Sequence, residues 1–136
     1  MSRVAFDTKV INNSINAKGA GWWRMFTAEK RIRPSVFIVG AQKAGTTSLF
    51  ANLAKHSKIA VPVRKEIMYF QNATNYQKGE KWYKAHYPQQ NPELIAIDGT
   101  ANYFEFTEAA SRIKKFQLDG KVIVLLRNPI DRAFSH

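Results

Sequence analysis

A chain of 136 residues can bury a core as one small domain or form part of a larger one. It has no cysteine, which excludes disulfides, thiolate metal sites and cysteine nucleophiles, and no apolar run approaches the roughly 20 residues of a bilayer-spanning helix. A hydrophobic share of 45% marks a globular chain, and a net charge of +11 points to anionic partners: nucleotide, polyanionic glycan, nucleic acid or an acidic membrane surface.

The first residues lack the apolar core of a secretory signal, so the chain reads as soluble, unexported and cytoplasmic. Residues 1–34 are polar and basic and read as an extension, expected to dock by its aromatic cluster Trp22, Trp23 and Phe26. From Ser35 onward, short apolar runs alternate with helical patterns. Val36 to Val39, Leu94 to Ile97 and Val122 to Leu126 are continuous apolar runs bounded by turn signals, as expected of strands buried on both faces of a parallel sheet.

The helices expected between them are Thr46 to Lys55, with Leu49, Phe50 and Leu53 on one side, Glu80 to Tyr87, ended by Pro88, and Thr107 to Phe116. Alternating strands and helices predict a three-layer α/β fold with a parallel sheet. After the last strand, Asn128 is placed to cap and Pro129 to open a further helix. That helix is expected to bury little before His136, which suggests a truncated product in which residues 35–136 are the amino-terminal part of a domain.

The stretch "VFIVGAQKAGTTSLF" leads from the first strand into the first of these helices. Gly40 and Gly45 have the spacing of a phosphate-binding G-x-x-x-x-G-K-[ST] loop, but Thr46 stands where the lysine belongs and Lys43 lies inside the loop. A strand-loop-helix turn aims backbone N–H groups and the positive end of the helix dipole at one anion, with the hydroxyls of Thr46, Thr47 and Ser48 as further donors. Without lysine after Gly45 there is less charge compensation for a magnesium triphosphate. Lys43 is instead placed to neutralise the bridging oxygen of a mixed anhydride, and a sulfuryl group, one charge less negative than a phosphoryl group, needs no metal there.

"FIVGAQKAGTTSL" resembles the 5′-phosphosulfate loop of sulfotransferases that use 3′-phosphoadenosine 5′-phosphosulfate. The resemblance implies a P-loop-like α/β fold, with Lys43 contacting the transferred group and leaving phosphate. It also implies that Gly45, Thr46, Thr47 and Ser48 hold the 5′-phosphate within a loop built from Gly40, Gln42 and Ala44. The segment "VIVLLRNPIDRAFS" resembles the 3′-phosphate motif of the same family, an arginine at a strand end and a serine eight positions on, which makes Arg127 and Ser135 the 3′-phosphate ligands. Arginine suits that task because its guanidinium gives two directed bonds to a phosphate.

Between these motifs, "VPVRKEIMYF", "KGEKWYKAHYP" and "IDGTANYF" resemble the heparan sulfate N- and O-sulfotransferase branch. That resemblance implies that Glu66 takes the acceptor's proton, with Lys65 its electrostatic partner. It further implies a carbohydrate or other hydroxyl or amine acceptor, no metal and no nucleic-acid partner. One departure concerns the acceptor: where glycan members often carry lysine in the segment from Asp98 to Phe104, this chain has Gly99.

Trp82, Tyr83 and Tyr103 are candidates to stack on sugar rings, although aromatics at such spacing are more often core. His56, His86 and His136 lie outside the matching segments and are read as bystanders. Two other readings remain at this level: a nucleotide kinase or NTPase with a degenerate loop, and a non-catalytic polyanion-binding module.

Overall fold

The computed structural model describes residues 20–134. Four strands, β1 (Val36–Gly40), β2 (Ile59–Ala60), β3 (Ile95–Gly99) and β4 (Lys121–Val124), form one sheet in the order β2-β3-β1-β4, with every pair parallel. The helices are α1 (Ala20–Phe26), α2 (Thr46–Leu53), α3 (Ala73–Gln77), α4 (Gly79–Lys84), α5 (Thr107–Phe116) and α6 (Pro129–Ala133), with 3-10 turns at Ala28–Lys30 and Ala101–Glu105.

Alternation along β1 separates two apolar layers. Phe37 and Val39 face an aromatic core that includes Tyr69, Phe70, Tyr83, Tyr103 and Phe116. Ile38 faces the other way, onto Ile97 and the Phe50 side of α2, with Leu49 and Leu53 packed beside it. Helices on both faces of a parallel sheet give the three-layer α/β fold. In the larger layer Tyr69 stacks on Tyr83 with ring centroids 4.5 Å apart, and the Phe70 ring meets Tyr83 edge-on at 5.1 Å.

Most element boundaries fall close to the sequence pattern, and the exceptions have local causes. Helix α4 stops at Lys84 and not at Tyr87, because His86 and Tyr87 donate to the carbonyls of Tyr83 and Lys84 three residues back, which tightens the last turn. At the start of α6, the Asn128 side chain accepts from Ile130 N–H at 3.0 Å and Pro129 opens the helix. The apolar run of β4 was expected to be buried on both faces, but it is the edge strand here and Val122 and Val124 are exposed. Its outer side forms part of an apolar groove of about 550 Å³ with the 3-10 turn at Ala101–Glu105 and α5.

The basic segment before β1 does not dock as expected. Trp22, Trp23 and Phe26 point outward, and arginines make the attachment instead. Arg24 donates from Nε to the Ala85 carbonyl at 2.7 Å and from Nη2 to that of Tyr87 at 2.9 Å. Buried Arg31 reaches the same Tyr87 carbonyl at 2.6 Å, the Arg24 carbonyl at 3.2 Å and the Thr27 hydroxyl at 3.0 Å. Cations directed at carbonyls at the end of α4 complement the negative end of its dipole as well as its unpaired acceptors.

Candidate functional site

Because every strand pair is parallel, the segments leaving β1, β2, β3 and β4 emerge at one edge of the sheet. Those segments are the glycine loop, the run through Lys65 and Glu66, the turn from Asp98 to Glu105, and Arg127. In open α/β sheets this is the edge where ligands gather.

Gly40 ends β1 at a position where a side chain has no room: a Cβ there would lie 2.6 Å from Cβ of Phe104 and 2.8 Å from the Ala101 carbonyl oxygen. Glycine therefore lets the 3-10 turn pack directly on the loop. The loop is fixed further by Ala41 N–H to the Leu125 carbonyl at 2.9 Å, Leu125 N–H to the Gly40 carbonyl at 2.7 Å, and a side-chain bond between Gln42 and Asn102. Gly45, at φ +100°, occupies the N-cap of α2 without a side-chain cap. The first N–H groups of that helix have no intrahelical acceptor by geometry, and Thr47 and Ser48 stand exposed beside them, while Thr46 is buried. Such an uncapped terminus suits a bound anion, and exposed Lys43 rises from the same loop.

Arg127 joins the two phosphate motifs, since its Nη1 donates to the Lys43 carbonyl at 3.2 Å. The second expected 3′-phosphate ligand, Ser135, lies outside the described residues. Lys65 and Glu66 pair side by side, Nζ to Oε1 at 2.9 Å, and Lys65 Nζ lies 5.9 Å from the centre of the Phe50 ring.

The backbone adds a signal that the sequence could not carry. Among the described residues, the only non-glycine residues with positive φ are Lys43 at 59°, Glu66 at 59° and Met68 at 57°. Left-handed backbone costs a side-chain-bearing residue on the order of 1–3 kcal/mol and persists where the surroundings impose it, frequently at functional sites. Two of these three positions are the expected catalytic lysine and the expected base.

Asp98, near the end of β3, has a place in the fold that the sequence motif does not reveal. It is wholly buried and accepts from Tyr83 Oη at 2.6 Å and Tyr103 Oη at 3.0 Å on Oδ2, and from Thr100 Oγ1 at 2.8 Å on Oδ1. Burial raises its pKa, opposed by these three hydrogen bonds and by the charge of Lys65. Tyr103 Oη also accepts from Tyr69 N–H at 3.1 Å, so this acid is tied to the segment that carries Glu66.

Gly99 next to it has a packing reason: a Cβ would lie 2.9 Å from Cε2 of buried Phe50 and closer still to Cδ2. Tyr83 and Tyr103 are buried and belong to the core, and Trp82 is half-buried, with the Lys78 ammonium 4.5 Å from its ring centre. Buried His86 directs Nδ1 at the carbonyls of Trp82 and Tyr83, at 2.9 and 3.2 Å, and burial lowers its pKa. Exposed His56 accepts from Lys58 N–H at 3.2 Å.

Residues 33–136 match the sulfotransferase domain family. The chain belongs to that family. It is 35% identical over 102 residues to heparan sulfate glucosamine 3-O-sulfotransferase 5 of Mus musculus, covering 75% of this chain and 29% of that protein. It is 36% identical over 110 residues to bifunctional heparan sulfate N-deacetylase/N-sulfotransferase 4 of Mus musculus, covering 75% of this chain and 12% of that protein. Among solved structures, a sulfotransferase from Alicyclobacillus acidocaldarius superposes with a TM-score of 0.66 at 30% identity, over 76% of this chain and 48% of that one.

The chain therefore spans less than half the length of these relatives. Among the described residues of this sulfotransferase domain, no group of three or more His, Asp or Glu side chains is arranged to hold a metal ion, and no helix is long and apolar enough to cross a membrane.

Proposed function

We propose that the protein carrying this domain transfers a sulfuryl group from 3′-phosphoadenosine 5′-phosphosulfate to a hydroxyl or amine of a carbohydrate. The single observation that carries the reading is the placement of Lys43 inside the glycine loop, with Arg127 bound to its carbonyl and the uncapped start of α2 beside it. Family membership supports sulfuryl transfer over nucleotide phosphorylation. The relatives named for heparan sulfate support a glycan acceptor.

The donor supplies an activated sulfuryl group on a phosphate anhydride. On this reading the N–H groups at the start of α2, with Thr47 and Ser48, hold the 5′-phosphate, and Arg127 with Ser135 holds the 3′-phosphate. Lys43 places its ammonium where negative charge grows on the leaving oxygen as the bond to sulfur breaks. Glu66 accepts the proton from the acceptor's hydroxyl or amine as the new bond to sulfur forms, and Lys65 orients that carboxylate. In-line positioning and electrostatic stabilisation do most of the work, as in phosphoryl transfer.

The test is calorimetric titration with 3′-phosphoadenosine 5′-phosphate against ATP with magnesium, followed by assay with labelled donor and N-deacetylated or fully hydroxylated glycan acceptors. Preference for the adenosine bisphosphate and label on the glycan are expected. Preference for magnesium ATP would overturn the reading.

A further inference from the structure

Helix α1 is turned opposite to the usual sense of a surface helix. At about 100° per residue, Trp22, Trp23, Met25 and Phe26 span an arc of about 160°, with Arg24 on the far side. The arginine points inward and is held by the Ala85 and Tyr87 carbonyls. The apolar arc points to solvent, with Trp22, Trp23 and Phe26 exposed to 69%, 57% and 75%. Phe26 stacks on both indoles, at 5.8 and 6.2 Å, so the three rings form one platform.

We infer that this platform docks the protein on a lipid bilayer with anionic headgroups, α1 lying in the interfacial plane. Tryptophan suits that layer because its ring is apolar and its N–H reaches polar headgroups. The surroundings supply the charge. Glu29 is the only acid between residues 20 and 33, and Lys81 neutralises it at 2.8 Å. Lys30 is exposed beside it, Lys84 reaches the Glu29 carbonyl at 3.4 Å, and the whole chain carries +11. An outward aromatic face beside exposed lysine is a combination that suits interfacial binding to anionic headgroups.

A sugar is the poorer fit. Recognition of a glycan needs directed hydrogen bonds as well as stacking, and the arc carries no acid, amide or hydroxyl side chain. The surface stands apart from the sulfuryl-transfer reading and is tested without reference to activity.

The experiment is co-sedimentation of the full chain with vesicles of phosphatidylcholine containing about 30% phosphatidylserine, with tryptophan emission and iodide quenching recorded in parallel. Binding, a blue shift and loss of quenching are expected. Added salt should weaken binding, and pure phosphatidylcholine should bind less. Replacing Trp22, Trp23 and Phe26 together by alanine should lower the partition coefficient at least about tenfold while leaving far-ultraviolet dichroism and the melting temperature unchanged, since the rings are exposed.

A single Phe26→Asp substitution should act in the same direction. The inference is overturned if the chain ignores anionic vesicles, or if the alanine variant binds as well as the parent. In the difference between parent and alanine-variant spectra, which isolates Trp22 and Trp23 from half-buried Trp82, emission already blue-shifted in buffer would overturn it too, because the chain itself or a second copy would then cover the platform. So would a ring-dependent emission change produced by a heparin oligosaccharide and not by vesicles.

Discussion

The Arg127 guanidinium donates to the backbone carbonyl of Lys43 at 3.2 Å, linking residues 84 positions apart. The arginine that is expected to grip one phosphate thus also steadies the loop carrying the lysine expected to act at the other. Substitutions at the two positions should have different kinetic signatures. On the proposed reading Lys43→Ala removes charge that matters most as the bond breaks, so turnover should fall by about 10²–10³ with little change in donor affinity. Arg127→Ala should mainly weaken donor binding, with a smaller loss of turnover from the loosened loop. Calorimetry with 3′-phosphoadenosine 5′-phosphate and steady-state assays of the protein carrying the domain separate the two. Equal effects on both parameters in both variants would contradict this division.

Glu66 combines a left-handed backbone with an ion pair to Lys65 at 2.9 Å. On the proposed reading of Glu66 as the proton acceptor, its replacement by glutamine should lower turnover by about 10²- to 10⁴-fold with donor affinity nearly unchanged. His56→Asn is the matched control, because that ring is exposed and its Nδ1 is engaged by the Lys58 amide. Normal turnover of Glu66→Gln would remove the base assignment.

The same φ of 59° gives a stability prediction. Glu66→Gly should be more stable than Glu66→Ala by about 1 kcal/mol, the reverse of the usual order, because only glycine adopts this backbone without a steric cost. Urea unfolding of the two variants measures it. The ordinary order, with alanine the more stable, would mean that the left-handed conformation at this position is not imposed by the fold.

Asp98 has a raised pKa because burial outweighs its hydrogen bonds and the Lys65 charge. The folded state then holds the proton at pH values where the unfolded chain has lost it, so its contribution to stability falls as pH rises from the ordinary aspartate value toward the folded one. An amide in its place does not titrate. The stability difference between parent and Asp98→Asn should therefore shrink with rising pH across that window, on top of a cost of about 1–3 kcal/mol for mismatched hydrogen bonds. Unfolding midpoints measured across the acid range provide the check: a pH-independent difference would show that folding leaves the Asp98 pKa unchanged, and a difference that grew with pH would show it lowered.

Gly99→Ala should destabilise by about 1–3 kcal/mol, since the new Cβ meets the buried Phe50 ring, and Phe50→Leu in the same chain should recover part of the loss. Additive effects in the double variant would mean that the ring is not the obstacle. The missing lysine in this segment therefore has a cause in core packing, whatever the acceptor requires.

Local pattern determined much of this protein. The apolar runs of β1 and β3, the helix from Thr107 to Phe116, the Asn128-Pro129 helix start and the displaced lysine of the loop could all be read from residues within a few positions of one another. Periodicity, capping and glycine spacing are short-range effects, and so they leave a mark in the sequence. The tertiary structure alone decided what depends on distant contacts. It placed β4 at an exposed edge, set Arg24 and Arg31 on carbonyls more than 50 residues away and left three aromatic rings in solvent. It also gathered two phenols and a threonine around Asp98, and forced Lys43 and Glu66 into left-handed backbone. Burial and strain arise from neighbours that the chain brings together only on folding, and no window of the sequence contains them.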